Sequence, residues 1–189
     1  MEKVKPRVNS VKTFSDLWSE AKVEIFRLEL LNIYSIDYEI GAFNKYKQGK
    51  PVDVFKEVSG FNEWLSKAEQ TVKRGVSIVD IQVLDLPMSD YIKFGIKYGS
   101  LFAEQKGEKF LFIERKNVSD LIKGFSDYWM FDSSTVMLMN YDSEGHLLSR
   151  SNPIKRYSEV SRYLELKDKL LHIGIPMQKF LRDNDINLG

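Results

Sequence analysis

The stretch DYWMFDSSTVMLMNYDSEGHLLSR, residues 127–150, decides the reading of the fold. Two tight breaks, Ser133-Ser134 and Ser143-Glu144-Gly145, divide it into three short runs. Short apolar runs bounded by turn residues read as strands, and connections this brief force neighbours to pair antiparallel. The segment DSEGH fits a hairpin loop with Gly145 in the left-handed position. The stretch therefore predicts a three-stranded meander. In its first strand Asp127, Trp129 and Phe131 share one face, and Tyr128, Met130 and Asp132 share the other.

Upstream, KFLFIER (109–115) alternates and reads as a strand. VSIVDIQVL (76–84) is rich in β-branched residues, which favours a buried strand ended by Pro87. A helix capped by Ser89 lies between them. Another helix follows Asn62 and stops at Gly75, and residues 50–61 form a loop with one helical turn at most. Tyr34 to Lys47 predicts a shorter helix, with Asp37 as its cap. Residues 13–32 read as one long helix: Thr13 and Asp16 resemble a capping box, and Phe14, Leu17, Trp18, Ala21, Ile25, Leu28 and Leu31 recur at helical spacing. Downstream, Asn152-Pro153 predicts the start of a long helix that ends at Gly174, and Pro176 opens a last short one.

Segregated runs of helices and strands predict an α+β fold. The expected architecture is a mostly antiparallel sheet of about four to five strands, packed against N-terminal and C-terminal helices. It forms one domain over residues 13–186, behind a basic lead-in at 1–12.

Composition excludes several function classes. The 189 residues carry 28 basic and 27 acidic side chains, a net charge of +1, so no global field draws the chain to nucleic acid. A DNA-binding module acting alone is disfavoured. The absence of cysteine removes disulfides, thiolate catalysis and zinc ribbons, and fits a reducing, cytoplasmic setting. No run approaches the roughly 20 apolar residues a membrane span needs. Neither GxGxxG nor GxxxxGK[ST] occurs, and no GxSxG elbow anchors a serine triad. The two histidines, His146 and His172, have no ligand spacing, so neither a metal nor a cofactor is expected.

The residues with chemical promise are Arg27, Glu29, Arg115, Asp127, Trp129 and Asp132. Asp127 and Asp132 flank aromatics, an arrangement suited to stacking a flat ligand while the acids accept its donors. The structural alternative makes Trp129 and Phe131 core anchors and each Asp a turn residue; it is the preferred reading. On a helix, Arg27 and Glu29 would not face each other. Each would pair elsewhere, Arg27 with Glu24 or Asp127 and Glu29 with Arg115, although surface pairs are the commoner outcome.

The string DYWMFDSSTVMLMNYDSEGHL resembles a mainly actinobacterial family of domains of unknown function. That family is marked by an Asp-Phe-Trp-Leu-Phe-Asp string, a strand and a Tyr-Asp-x-x-Gly hairpin. The resemblance extends to Arg27-Leu28-Glu29, Tyr34 and Glu39, to Val79 through Pro87, to Ser89, Tyr91, Ile92, Lys93 and Phe94, to Gly107-Glu108 and to Ile175-Pro176. It covers about residues 14–182. Tyr128, Met130 and Leu166 depart from the family pattern, and the strand at 76–84 lacks the arginines common there. The resemblance implies no catalytic residues. Family members are often encoded beside helix-turn-helix regulators, which implies a regulatory role with such a protein partner. The first functional reading is accordingly a non-enzymatic regulatory or protein-binding module. The rival is an enzyme or toxin-like effector acting on a nucleotide or nucleic acid through an Arg/carboxylate cleft, which requires the candidate side chains to converge. Sequence decides neither enzymatic activity nor oligomeric state.

Overall fold

A computed structural model describes residues 11–188, so most of the basic lead-in, residues 1–10, lies outside the described residues. The chain runs through α1 (Phe14–Glu20), β1 (Glu24–Glu29), α2 (Ile40–Lys47), α3 (Val54–Glu57), α4 (Phe61–Lys73) and β2 (Ser77–Leu84). It continues through α5 (Asp90–Gly95), a π-turn, α6 (Leu101–Gln105), β3 (Lys109–Glu114), α7 (Ser119–Ile122), β4 (Tyr128–Phe131), β5 (Thr135–Tyr141) and β6 (Leu147–Arg150). Last come α8 (Tyr157–Ile173), β7 (Ile175–Pro176) and α9 (Met177–Asp183). Seven strands form one sheet in the order β6-β5-β4-β1-β2-β3-β7.

The fold is α+β, but the sheet is mixed and larger than the expected four to five mostly antiparallel strands. Strands β1, β2 and β3 are parallel neighbours. The meander β4-β5-β6 is antiparallel, as its turns require, and it joins the parallel part by pairing β4 antiparallel to β1. Strand β7 adds antiparallel to β3.

The difference begins at residues 13–32. Thr13 and Asp16 do form a capping box, but α1 ends at Glu20. The following residues alternate instead of spiralling. Ile25 packs with Trp18 and Trp129 on one side of the sheet, while Phe26 and Leu28 pack against α8 on the other. A strand buried on both faces carries apolar residues at most positions, and these also satisfy a helical spacing. Three smaller corrections follow. Helix α2 starts at Ile40 with Glu39, not Asp37, at its N-cap. Helix α4 starts at Phe61, after Gly60 rather than after Asn62. Asn152-Pro153 does not begin a helix, because Ile154 bridges to Val136 and α8 starts at Tyr157.

Each face of the sheet has its own core. On one, Phe26, Leu28, Ile81, Val83, Tyr128 and Met130 pack against Val160, Tyr163, Leu166 and Leu170 of α8. On the other, apolar packing divides into separate clusters, two of which flank the middle of the sheet. One cluster joins Trp18, Ile25, Ala68, Ile78 and Trp129 beneath α1 and α4. The second joins Tyr34, Leu84, Tyr91, Phe112 and Phe180 beneath α5 and α9. Trp129 is 4% exposed and meets Phe14 and Trp18 edge-on, with ring centroids 5.2 and 5.6 Å away.

Candidate functional site

The gap between those two clusters is polar, and the strand sequences explain why. Side chains two apart on a strand share a face. On this face β1 presents Ile25, Arg27 and Glu29, and β2 presents Ile78, Asp80, Gln82 and Leu84. The parallel register sets Arg27 beside Asp80 and Glu29 beside Gln82. On the other flank Arg27 pairs with Trp129, and Asp127 directly precedes β4 on the face of that tryptophan. Glu108, immediately before β3, completes the row.

Arg27 is the hub. It forms ion pairs with Glu29 and, at 3.4 Å through Nη1, with Asp80. Its guanidinium lies 5.0 Å from the centre of the Trp129 ring, in cation–π range. Asp127 accepts the Leu30 N–H at 3.0 Å and the Tyr34 hydroxyl. Glu39 accepts the Tyr91 hydroxyl at 2.9 Å. Asp80 and Glu108 are 2% and 3% exposed, yet Asp80 Oδ1 and Glu108 Oε2 have no hydrogen-bond partner among the described residues. The Arg27 side chain keeps 26% of its exposure and Glu29 12%, so the cluster opens to solvent at these two residues.

Burial controls the protonation of these groups. It drives Asp80 and Glu108 each up to about 7 against the opposing charge of Arg27. It also raises Glu29 well above its ordinary value, with Arg27 opposing, and raises Asp127 and Glu39 above theirs, opposed by the hydroxyls of Tyr34 and Tyr91 and then by Arg27. Neighbouring acids reinforce the rise at Glu29 and Asp80. For Arg27 itself, burial works against the charge, but Glu29 and Asp80 outweigh it and keep the guanidinium protonated. Burial pushes the Tyr141 hydroxyl up to about 12 and raises Tyr34 and Tyr91 as well. The arrangement thus combines a fixed cation with acids that exchange protons near neutral pH.

Of the residues singled out in the sequence, Arg27, Glu29, Asp127 and Trp129 meet here. The expectation that Arg27 and Glu29 cannot face each other is corrected, because it assumed a helix; on β1 they share a face and pair. Glu29 does not pair with Arg115. Arg115 instead binds Asp85 at 3.1 Å and the carbonyls of Leu30 and Val83, tying together the ends of β1 and β2. Asp132 is also elsewhere. It sits in the β4–β5 turn at φ +49 and accepts the N–H groups of Lys22, Val23 and Glu24 at 2.8–3.1 Å. Burial raises its pKa, but those three N–H groups prevail and hold it below the ordinary value. That is the turn role the sequence suggested.

Asp80 was missed as a site residue. Its signal is a lone acid inside an otherwise apolar strand, a placement that calls for a partner. Tyr34, Glu39, Tyr91 and Glu108 are not singled out as site residues by the sequence reading, which names them only as parts of predicted elements or as separate matches to the resemblance. The fold gathers all four around Arg27. Among the described residues no three His, Cys, Asp or Glu side chains come together as a metal site, and no helix is long and apolar enough to cross a membrane.

The chain belongs to a family described as a domain of unknown function, DUF6879, whose model matches residues 12–182. Among curated proteins, none matches the sequence. Several solved structures are similar to this chain, among them two that cover most of it. One is TrmBL2, an archaeal chromatin protein with a novel mode of DNA binding, at 13% identity and a TM-score of 0.44. That match covers 84% of this chain but 46% of the other, so the present chain spans less than half of that protein's length. The second is Nuc, a phospholipase D family member from Salmonella typhimurium, at 11% identity and a TM-score of 0.48, covering 89% of this chain and 93% of the other. At these values neither transfers a function.

Proposed function

We propose that this DUF6879 domain is a regulatory module that binds a small ligand at the Arg27-centred cluster. The observation that carries this reading is one guanidinium that reaches solvent and pairs with Glu29 and Asp80, with three further carboxylates, Glu39, Asp127 and Glu108, within range of its charge. A structural bridge needs one carboxylate for one arginine. The surplus acids are desolvated without a counter-charge, which costs folding free energy. Clefts that hold perturbed acids beside a fixed cation are where binding and catalysis concentrate. For the regulatory part of the reading, β6 lies at the sheet edge with Leu147 39% and Leu148 67% exposed, and offers a partner a strand to extend. A helix-turn-helix regulator is the partner class implied by the family resemblance.

One observation favours the enzyme reading as a second choice. An acid poised at about 7, as Asp80 and Glu108 are, suits a general acid or base at neutral pH.

A ligand-observed NMR screen against small amines, nucleotides and organic acids tests the reading. It compares the wild type with the triple variant Arg27→Met, Glu29→Leu, Asp80→Leu. At least one ligand class binds the wild type and loses binding in the folded triple variant. If no class binds the wild type and the triple variant is simply more stable, the cluster is an internal brace and the reading fails.

A further inference from the structure

Asp80 Oδ1 and Glu108 Oε2 carry the observation that reaches furthest. Buried acceptors almost always find a donor, and those that do not call for an explanation. These two belong to neighbouring strands. Asp80 pairs in register with Phe110, so Glu108, two residues earlier, lies diagonally across on the same face. The two acids feel each other's charge. The contact from Arg27 to Asp80 is long at 3.4 Å and engages only Oδ2. The guanidinium is spent mainly on Glu29, leaving one acceptor on each of the other two acids.

We propose that the cluster takes a nitrogen cation, a primary amine, amidine or guanidinium, whose N–H groups are held by Asp80 and Glu108 beside Arg27. This names the ligand class for the site read above, and it rests on that reading. Charge supports it. The groups facing the gap are Arg27 and Glu29 on β1, Asp80 on β2, Glu108 before β3 and Asp127 before β4. Tyr141 on β5, Tyr34, Glu39 before α2 and Tyr91 on α5 complete them. One cation faces five acids whose burial favours the protonated form, so an entering cation can replace their protons as counter-ion, which an anion cannot do. The geometry of the ligand follows from the acceptors. A divalent metal wants about six or more oxygens at short range, and no such acid group converges among the described residues. An ammonium or guanidinium presents several directional donors and matches two or three separated acceptors.

The acids hold protons near neutrality, since burial places Asp80 and Glu108 at about 7. A cation that replaces those protons must expel them. Binding is therefore coupled to proton release and tightens as pH rises toward 7, by up to about tenfold per pH unit for each proton expelled.

Isothermal titration at pH 6.0 and 7.5 tests this, in two buffers of different protonation enthalpy. Methylguanidinium is the cationic probe and inorganic phosphate the anionic one. Methylguanidinium binds the wild type with proton release. Asp80→Asn and Glu108→Gln each weaken it at least about tenfold and reduce the proton release, by linkage. Cooperative denaturant unfolding of both variants shows that they are folded. Phosphate binding that depends on Arg27, with none of methylguanidinium, overturns the cation assignment and leaves the ligand-site reading standing. Methylguanidinium binding that survives both substitutions overturns the placement. Failure of both probes, with no class found in the NMR screen, overturns the assignment and the site together.

Discussion

Two carboxylates of this chain show how surroundings set the behaviour of one chemical group. Asp132 is ringed by backbone N–H groups and stays ionised; Glu108 is walled in and holds its proton to about 7. Hydrogen bonds to a charged acceptor are worth about 1.5–3 kcal/mol. Asp132→Ala leaves three donors at the start of β1 unanswered, so denaturant melts show a loss of about 2–3 kcal/mol. Glu108 gives a pH dependence of opposite sense. Between its ordinary value near 4.5 and about 7, the unfolded chain has lost the proton and the native chain has kept it. The stabilising contribution is complete at low pH and is lost as pH rises through the native value, with a slope of up to about 1.4 kcal/mol per pH unit. Unfolding measured at pH 5 and pH 7.5 therefore shows a smaller decline for Glu108→Gln than for the wild type. Neither role is visible in a single residue letter. Asp132 was legible because a turn surrounds it in sequence, whereas Glu108 depends on which strand lies beside it.

Elements were legible where their signals are local. Ser89 caps α5, Gly75 follows α4 at φ +87, and the β4-β5-β6 meander follows from its turns. The hairpin between β5 and β6 also braces a distant loop. Gly145 sits at φ +84, and a Cβ there would lie 2.6 Å from the Ile33 carbonyl. Gly145 O accepts the Ser35 N–H at 2.9 Å. Gly145→Ala meets both a backbone penalty and a clash, and costs more than about 1 kcal/mol of stability. Hydrogen exchange should show the loss spreading to residues 33–36. Sequence missed β7, assigning its Pro176 to the last helix, and above all it misread β1. Its apolar residues serve two faces of a sheet, and a period of two with both faces filled is indistinguishable from part of a helix until the neighbours are known. That one misassignment separated Arg27 from Glu29 and hid the site.

At the scale of the molecule, the sheet packs one face against α8 through apolar residues, with the Glu24–Lys167 ion pair at its edge, and interrupts the other with a charged row between apolar clusters. The α+β class and the packing of N-terminal and C-terminal helices on the sheet were legible. The parallel β1-β2-β3 core was not, because parallel order comes from crossovers that no local pattern announces. The row of charges has a measurable consequence for the whole fold. Replacing a buried ionic network with apolar residues of similar size is often neutral or stabilising by about 1–4 kcal/mol. The Arg27→Met, Glu29→Leu, Asp80→Leu variant is expected to unfold at equal or higher denaturant concentration while losing ligand binding. Stability and function then separate. The most direct measurement is a side-chain carboxyl ¹³C NMR titration of the wild type, with Asp80 and Glu108 assigned by substitution. Midpoints near 7 for both, shifting downward when methylguanidinium is added, are the result expected of a desolvated acid pair that awaits a cation. Midpoints near 4 with no response to the probe would contradict it.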